Sequence, residues 1–480
     1  MQTPRDLPRT IGFLPAAAVM IGVTVGSGIY RTPADIAQHL DSSWQVIAAW
    51  VVGGLLSLFG ALTYAELAVM YPRSGGLYNF LYQGLGPRVS FIFGWTYMLI
   101  TKPLAAAGIC VVFAEYLFAL GGERFAAWVS DNAPPGMEAV LGPSWPTTLI
   151  VCGTLAVLTF VNYLGMRLGA FVNLALTIIK IGCLLAIVAL AFALGGRPGT
   201  TPAVVVTAVS LPAFAALAPV LSAVLWTYDG WSDIGSIAGE VREPGRNLPR
   251  IYLLGTACLV ALYVLVNLAF LHVLPIDEMR QSTAVAGDVM TRLIGPSGSA
   301  VVIAFVLIST LGATHASILT GARVTFAQAQ DGLLFRFLGR ISPRFETPGV
   351  SLWVQLAMSC LCMIFLRQFQ SLADGFVFTM WIFYGLGGIA MLRLRRLRPD
   401  APRVYRCWGY PVVPILFIAS AAGMTFLHVW NAFTARAEPG QIAPWVLACA
   451  YLGILAAGWP AYWVWKRLYP QQQPPASPTT

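Results

Sequence analysis

The chain has 480 residues, of which 58% are hydrophobic and 10% charged, and its mean hydropathy is +0.73. Soluble globular chains carry about 25% charged residues, so the composition excludes a soluble domain of any size and indicates a chain embedded in lipid. The net charge of +9 does not indicate a nucleic-acid partner, because no stretch is polar enough to form a folded basic face.

Apolar runs separated by charged or Pro/Gly-rich stretches follow one another along the chain, and each is long enough to cross a bilayer. In chain order they cover residues 11–40, 44–70, 89–120, 147–164, 168–194, 213–240, 249–273, 297–329, 349–367, 372–392, 409–433 and 444–466. The sequence therefore predicts an all-α polytopic membrane protein of about twelve transmembrane helices. One membrane domain covers residues 1–480 and includes a short tail at 468–480.

Arginines and lysines concentrate in alternate loops, on the side of the amino terminus. Arg242, Arg246 and Arg250 follow the sixth run, for example, whereas the opposite loops hold acids such as Asp277 and Glu278. Because basic residues mark the cytoplasmic loops of membrane proteins, both termini are predicted to be cytoplasmic.

The first span contains a cluster of glycines at mid-depth, where residues 22–30 read GVTVGSGIY. Glycines there favour an unwound segment. Lipid cannot satisfy the freed backbone groups, so such a break persists only where protein or an aqueous cavity supplies partners. The alternative is a close-packing seam between helices. If the break binds a ligand, Gly26 and Gly28 should tolerate no bulky side chain, because a Cβ would obstruct access to the backbone.

Two lysines lie inside predicted spans. Lys180 is about 18 Å from the start of the fifth span at 1.5 Å per residue, which is too deep for its ammonium to reach water. An unpaired ammonium there would cost about 2.5–3.5 kcal/mol, so it should face the bundle interior and bind carbonyls or a carboxylate. It is either a structural clamp or a functional charge. Lys102, in the third span, precedes a proline and has no clear role.

The sixth span carries a second break, where residues 225–231 read LWTYDGW. Five spans separate the two breaks, and an odd number reverses the orientation of a second copy. Paired interrupted helices in corresponding positions are typical of inverted-repeat transporters and favour a binding site over a packing seam. The predicted repeats are residues 11–194 (helices 1–5) and 213–392 (helices 6–10), with helices 11 and 12 (409–466) outside them.

Five strings, in this order, resemble the amino acid, polyamine and organocation (APC) superfamily and within it the L-type amino acid transporter branch, over about residues 10–430. They are GVTVGSGIYRTP (22–33), GALTYAELAVMYPRSGGLYNFL (60–81), TKPLAAAGICVVFAEYL (101–117), LWTYDGWSDIGSIAGEVREPGRNLPR (225–250) and FAQAQDGLL (326–334). The resemblance implies a LeuT-like fold of five plus five inverted helices with two extra helices. It also implies sodium-independent transport of amino acids, often as exchange.

The resemblance further implies that the first break presents backbone N–H groups to the substrate carboxylate and that carbonyls of the second break receive the ammonium. The predicted substrate site comprises Thr24, Val25, Gly26, Ser27, Gly28, Ile29, Trp226, Thr227, Tyr228, Asp229 and Gly230. A lysine at the place of Lys180 in sodium-independent relatives is directed to the position that sodium occupies in sodium-coupled ones, between spans 1 and 8.

Trp226 stands where relatives carry an aromatic residue that closes over the substrate, although an aromatic in a membrane helix can also serve packing. Asp229 stands where many relatives have glycine, and it either faces the substrate side chain or pairs with Lys180. The apolar Val25, Ile29 and Trp226 are expected to line much of the pocket and favour small neutral substrates.

The loop at 121–146 has no cysteine, whereas light subunits of heteromeric transporters use one there to bind a heavy subunit. We therefore expect a stand-alone bacterial relative in the inner membrane, with an amino acid and the lipid bilayer as partners and no disulfide-linked subunit. The four histidines are scattered and show no ligand spacing, so no metal, other cofactor or enzymatic activity is expected. A channel is disfavoured, because internal pseudo-symmetry suits alternating access.

The sequence thus predicts a sodium-independent exchanger of neutral L-amino acids. The alternative is a proton-coupled symporter of amino acids or related amines.

Overall fold

The computed structural model describes residues 9–132, 144–195, 214–282, 284–435 and 442–469. Within these ranges the regular structure is helical, apart from one isolated bridge between Ile11 and Val241, so the all-α class is confirmed. Much of the predicted 121–146 loop and of the predicted tail at 468–480 lies outside the described residues.

Eleven helices in the described ranges are long and apolar enough to cross a membrane, which makes the chain a multi-pass membrane protein. We number the predicted spans 1 to 12 in chain order: Phe13–Thr24 with Gly28–Gln38, Ser43–Met70, Pro87–Gly121, Trp145–Tyr163, Met166–Leu194, Phe214–Tyr228 with Asp233–Glu240, Pro244–Val273, Pro296–Gln330, Gly349–Leu366, Phe369–Leu397, Val412–Thr434 and Pro444–Leu468. Span 6 is not among the eleven, because its break divides it into a short α-helix and a 3-10 helix.

The spans differ in how much of their surface other helices cover. In spans 1 and 10, 72% and 78% of the membrane-crossing residues are buried, against 28% in span 11 and 22% in span 12. Lipid is as apolar as a leucine side chain, so exposed apolar residues such as Phe365 are stable facing it. Spans 1 and 10 are therefore central and spans 11 and 12 peripheral.

Both ends of the described chain lie at one face of the bundle, which we call the terminal face and define by Ile11, Glu240, Gly332 and Trp465. The Ile11 amide donates to the Glu240 carbonyl over 3.0 Å, and Trp465 Nε1 donates to the Gly332 carbonyl over 3.2 Å. The broken spans 1 and 6 are each followed by four continuous spans in the order predicted. The assignment of residues 11–194 and 213–392 as inverted repeats stays a prediction.

Candidate functional site

The first break interrupts span 1 between Thr24 and Gly28, inside the range predicted from the glycines. The carbonyls that the break frees are bound by side chains of other spans. Lys180 Nζ donates to the Gly22 and Val25 carbonyls over 2.8 and 2.9 Å, and the Tyr263 hydroxyl donates to the Thr24 carbonyl over 2.7 Å. Side-chain donors of the protein thus satisfy the carbonyls on this side of the break.

The amides on the other side of the break have no such partners. Within the described ranges, no acceptor receives the N–H groups of Ser27, Gly28 and Ile29 at the start of the Gly28–Gln38 helix. The Ser27 hydroxyl is also buried without a hydrogen bond. A helix amino terminus carries a partial positive charge and unpaired donors, so this end of the break is suited to a carboxylate.

The second break follows Tyr228, where the α-helix of span 6 ends, and a 3-10 helix begins at Asp233. Among the described residues no donor reaches the carbonyls of Thr227 and Tyr228, and a helix carboxyl terminus carries a partial negative charge. Gly230 has φ +115°, and a Cβ there would lie 2.5 Å from Thr24 Oγ1. Glycine at this position therefore lets the two breaks meet.

The two breaks and span 3, with one residue each from spans 8 and 10, line a cavity. Its lining residues are Val23, Thr24, Gly26, Ser27, Gly28, Lys102, Ala105, Ile109, Trp226, Asp229, Ser317 and Phe376. The centres of water molecules can occupy about 30 Å³ of it, which is room for about two waters. An amino acid therefore requires side chains in the wall to move.

The eleven predicted site residues divide into two groups. Those that line the cavity are Thr24, Gly26, Ser27, Gly28, Trp226 and Asp229. The others, Val25, Ile29, Thr227, Tyr228 and Gly230, lie outside the lining and pack against neighbouring elements. Val25 and Ile29, which the sequence analysis expects in the cavity wall, are each 0% exposed. Apolar residues of spans 3 and 10 line the cavity instead.

Trp226 covers the cavity on the side away from the terminal face. Its ring makes edge contacts with Phe369 and Phe376 of span 10, at centroid distances of 5.6 and 5.4 Å. The Arg31 guanidinium lies 5.7 Å from the Phe369 ring and 3.8 Å from the Glu115 carboxylate. The tryptophan predicted as a gate therefore contacts span 10, and Phe369 connects it to the Arg31–Glu115 pair of spans 1 and 3.

The terminal face is closed by a buried ion pair. Arg323 Nε of span 8 lies 2.5 Å from the carboxylate of Glu240, and the two side chains are 4% and 3% exposed. The Glu240 backbone also receives the Ile11 amide. The terminal face is therefore held together by contacts between spans 1, 6 and 8.

Lys180 of span 5 lies between spans 1 and 8, and its role in place of a sodium ion stays a prediction. Its side chain is 1% exposed. The Ser309 hydroxyl of span 8 donates to the same Val25 carbonyl over 3.3 Å, and Gly312 of span 8 leaves room for the lysine, since a Cβ there would lie 3.1 Å from Nζ. Among the described residues the ammonium binds these carbonyls and not Asp229, so the structure does not contain the suggested Lys180–Asp229 pair.

Asp229 instead accepts a hydrogen bond from the Tyr384 hydroxyl of span 10 over 2.6 Å. That hydroxyl also lies 2.8 Å from Ser232 Oγ. Asp229 also lines the cavity. Of the two alternatives, pairing with Lys180 or facing the substrate side chain, the structure favours the second.

Sequence reasoning missed the lining residues Val23, Ala105, Ile109, Ser317 and Phe376 and also Asp233, and it gave Lys102 no partner. Lys102 Nζ lies 2.9 and 2.8 Å from the two carboxylate oxygens of Asp233. One signal could have indicated this pair, because charged residues inside membrane spans face the bundle interior and pair with one another. Within the described ranges no group of three or more His, Cys, Asp or Glu is placed to hold a metal ion.

Comparison with known proteins adds a separate line of evidence. Residues 11–455 match the amino acid permease family. The chain is 30% identical to the b(0,+)-type amino acid transporter 1 of Mus musculus, over 86% of this chain and 81% of the relative. It is 29% identical to the serine/threonine exchanger SteT of Bacillus subtilis (strain 168), over 86% and 90%, and 26% identical to the human cystine/glutamate transporter, over 89% and 81%.

Proposed function

The chain belongs to the amino acid permease family and is an amino acid transporter, and on that premise we propose that it exchanges small neutral L-amino acids without sodium by alternating access. One observation carries the proposal: the helix amino terminus at Ser27 and Gly28, whose N–H groups have no acceptor among the described residues, lines the same cavity as Trp226 and Asp229 at the helix carboxyl terminus of span 6. The first suits a carboxylate and the second an ammonium, so together they match the backbone of a zwitterionic amino acid.

The preference for small neutral side chains is supported by the rest of the wall. Ala105, Ile109, Trp226 and Phe376 are apolar, and a buried apolar wall gives no hydrogen bonds to a polar side chain that has left water. The small volume favours substrates of the size of alanine.

Independence from sodium is supported by Lys180. Its ammonium binds the Gly22 and Val25 carbonyls between spans 1 and 8, and a second cation at the same carbonyls would be repelled. We propose that the ammonium replaces the ion permanently, as the resemblance implies.

Alternating access requires that the cavity open to one face at a time. The layer of Trp226, Arg31 and Glu115 covers one side, and the Arg323–Glu240 pair covers the other. We propose that these are the two gates and that residues 11–194 and 213–392 move relative to each other as inverted repeats.

The proposed setting is the inner membrane of a bacterium, with both termini in the cytoplasm and no disulfide-linked heavy subunit. The distribution of arginines supports the orientation, and the absence of cysteine from residues 121–146 supports a stand-alone transporter. The partners in this proposal are the amino acid and the lipid bilayer, and the protein is a transporter without enzymatic activity.

Proton-coupled symport is the second candidate, because Asp229 places a half-buried carboxylate against the cavity. Uptake of labelled alanine into proteoliposomes separates the two. Exchange predicts uptake that requires unlabelled amino acid inside and is unchanged when sodium is replaced by choline. Uptake driven by an imposed pH gradient into vesicles without internal amino acid would favour symport, and stimulation by sodium would contradict the proposed role of Lys180.

We predict that Asp229 selects for side-chain charge. Asp229→Asn keeps an acceptor for the Tyr384 hydroxyl but removes the negative charge, so arginine should compete about tenfold less well against labelled alanine, which corresponds to about 1.4 kcal/mol. Competition by alanine and serine should change by less than about twofold. Tyr384→Phe is the matched control, since it removes the hydrogen bond and leaves the carboxylate. An equal loss for all substrates in Asp229→Asn would contradict the prediction, and arginine as the best competitor of the wild type would contradict the neutral preference.

A further inference from the structure

Lys102, which lines the substrate cavity, forms an ion pair with Asp233. The ammonium contacts both carboxylate oxygens, at 2.9 and 2.8 Å, and the side chains are 4% and 6% exposed. Among the described residues that line the cavity, Lys102 has the one basic side chain. We propose that Asp233 sets the charge selectivity of the transporter by neutralising Lys102, so that amino acids with acidic side chains are rejected. This inference rests on the proposed function.

The helix of span 3 directs Lys102 into the cavity. Lys102, Ala105 and Ile109 all line it, and their spacing of three and four residues places them on one face of a helix. A π-helical turn at Tyr97–Thr101 directly precedes Lys102, and such turns are frequent at functional sites. The lysine is thus held on the part of the cavity wall that span 3 forms.

Asp233 reaches the lysine from the second break. It is the first residue of the 3-10 helix Asp233–Glu240, and its amide donates to the Gly230 carbonyl over 3.1 Å. The break therefore supplies both the free carbonyls of Thr227 and Tyr228 and the carboxylate that binds Lys102. In this proposal the same short segment selects substrates by the charge of their side chains and binds their ammonium group.

The charge balance determines which side chains can enter. The Lys102–Asp233 pair has no net charge, and Asp229 adds a further carboxylate to the lining. An acidic side chain entering the cavity would lose its water, find the ammonium already occupied and approach Asp229. A desolvated carboxylate without a partner is strongly disfavoured, whereas a neutral side chain meets no such penalty.

Removing the charge of Asp233 should reverse this exclusion. In Asp233→Asn the side chain keeps its size, and Lys102 loses its anionic partner. A glutamate or aspartate substrate can then supply the missing carboxylate. We expect glutamate, inactive against the wild type, to compete with labelled alanine at least about tenfold better in the variant, measured by binding to purified protein in detergent and expressed relative to each variant's own affinity for alanine.

The double variant Lys102→Gln/Asp233→Asn is the matched control. It carries the same asparagine without the ammonium, so glutamate should gain nothing. Equal gains in the single and double variants would mean that a change of shape admits glutamate, and the proposal would be overturned.

Lys102→Gln provides an independent arm, because breaking a buried pair can also impair folding. This variant leaves Asp233 charged and unpaired, so competition by arginine should rise about tenfold. If purified Asp233→Asn is not monodisperse, competition by arginine in Lys102→Gln tests the proposal instead. If arginine competes no better there than against the wild type, the proposal is overturned.

The assay also separates this inference from the proposed function. If the wild type binds alanine and Asp233→Asn binds alanine but still excludes glutamate, the selectivity role is overturned and the transport function stands. If the wild type binds and exchanges no neutral amino acid, the proposed function fails, and this inference fails with it.

Discussion

Lys180→Met is expected to reduce alanine exchange by about a hundredfold while weakening alanine binding by less than about tenfold. The substitution removes both hydrogen bonds from the ammonium and leaves the Gly22 carbonyl, deep in the bundle, without a partner. A buried acceptor without a partner costs about 1–3 kcal/mol, and a factor of a hundred in rate corresponds to about 2.7 kcal/mol. Lys180 does not line the cavity, so the cost should fall on the movement of span 1 and less on the substrate contact.

Ser309→Ala is the control for the lysine. It removes one weaker hydrogen bond, of 3.3 Å, to the same Val25 carbonyl, and Lys180 remains bound to it. Exchange should fall by no more than about threefold, since a neutral hydrogen bond contributes about 1 kcal/mol or less when its partner stays satisfied. Exchange rates can be measured in proteoliposomes and affinities in detergent. Equal losses of affinity and exchange in Lys180→Met would contradict the assigned role.

Gly28→Ala is expected to prevent correct assembly of the two breaks. A Cβ at this position would lie 2.5 Å from Thr227 Oγ1 and 2.8 Å from Thr227 Cα. Moving the side chain of Thr227 cannot relieve the contact with its Cα, so the backbone of span 6 must shift, and overpacking of this kind costs about 1–3 kcal/mol or more. Transport should be lost, and the apparent melting temperature and the monodisperse fraction of purified protein should fall.

Two other glycines serve as controls. Gly26→Ala would place a Cβ 3.0 Å from the Ala313 Cβ and 3.4 Å from the Val23 carbonyl oxygen, both longer than the contacts at Gly28, and Gly153→Ala in span 4 meets nothing within 4 Å. We expect intermediate stability for the first and wild-type stability for the second. If Gly28→Ala is as stable as Gly153→Ala and only transport is lost, the cause is obstruction of the substrate.

The contact between a Cβ at Gly28 and Thr227 gives a different physical reason for this glycine from the one inferred from the sequence. The sequence analysis expects a Cβ at Gly28 to obstruct the approach of the substrate to the backbone. Gly28 does line the cavity, but the nearest atoms to a Cβ belong to Thr227 of the other break. The sequence shows that both helices break, yet it contains no information on how closely the two breaks approach each other.

Span positions, both breaks and the buried location of Lys180 could all be predicted, because each depends on local properties of the chain. The length of an apolar run decides whether it crosses the bilayer. Glycines at mid-depth and charges far from the interface are visible residue by residue, since the bilayer imposes the same constraint on every span.

The partners of the buried polar groups were decided by tertiary structure alone. Lys102 and Asp233 are 131 positions apart, Asp229 and Tyr384 are 155 apart, and no periodic pattern relates either pair. Whether two such groups meet depends on the rotation and depth of each helix, which packing against several neighbours determines together. The same dependence explains why Val25 and Ile29 face neighbouring helices while Ala105, Ile109 and Phe376 form the apolar wall of the cavity.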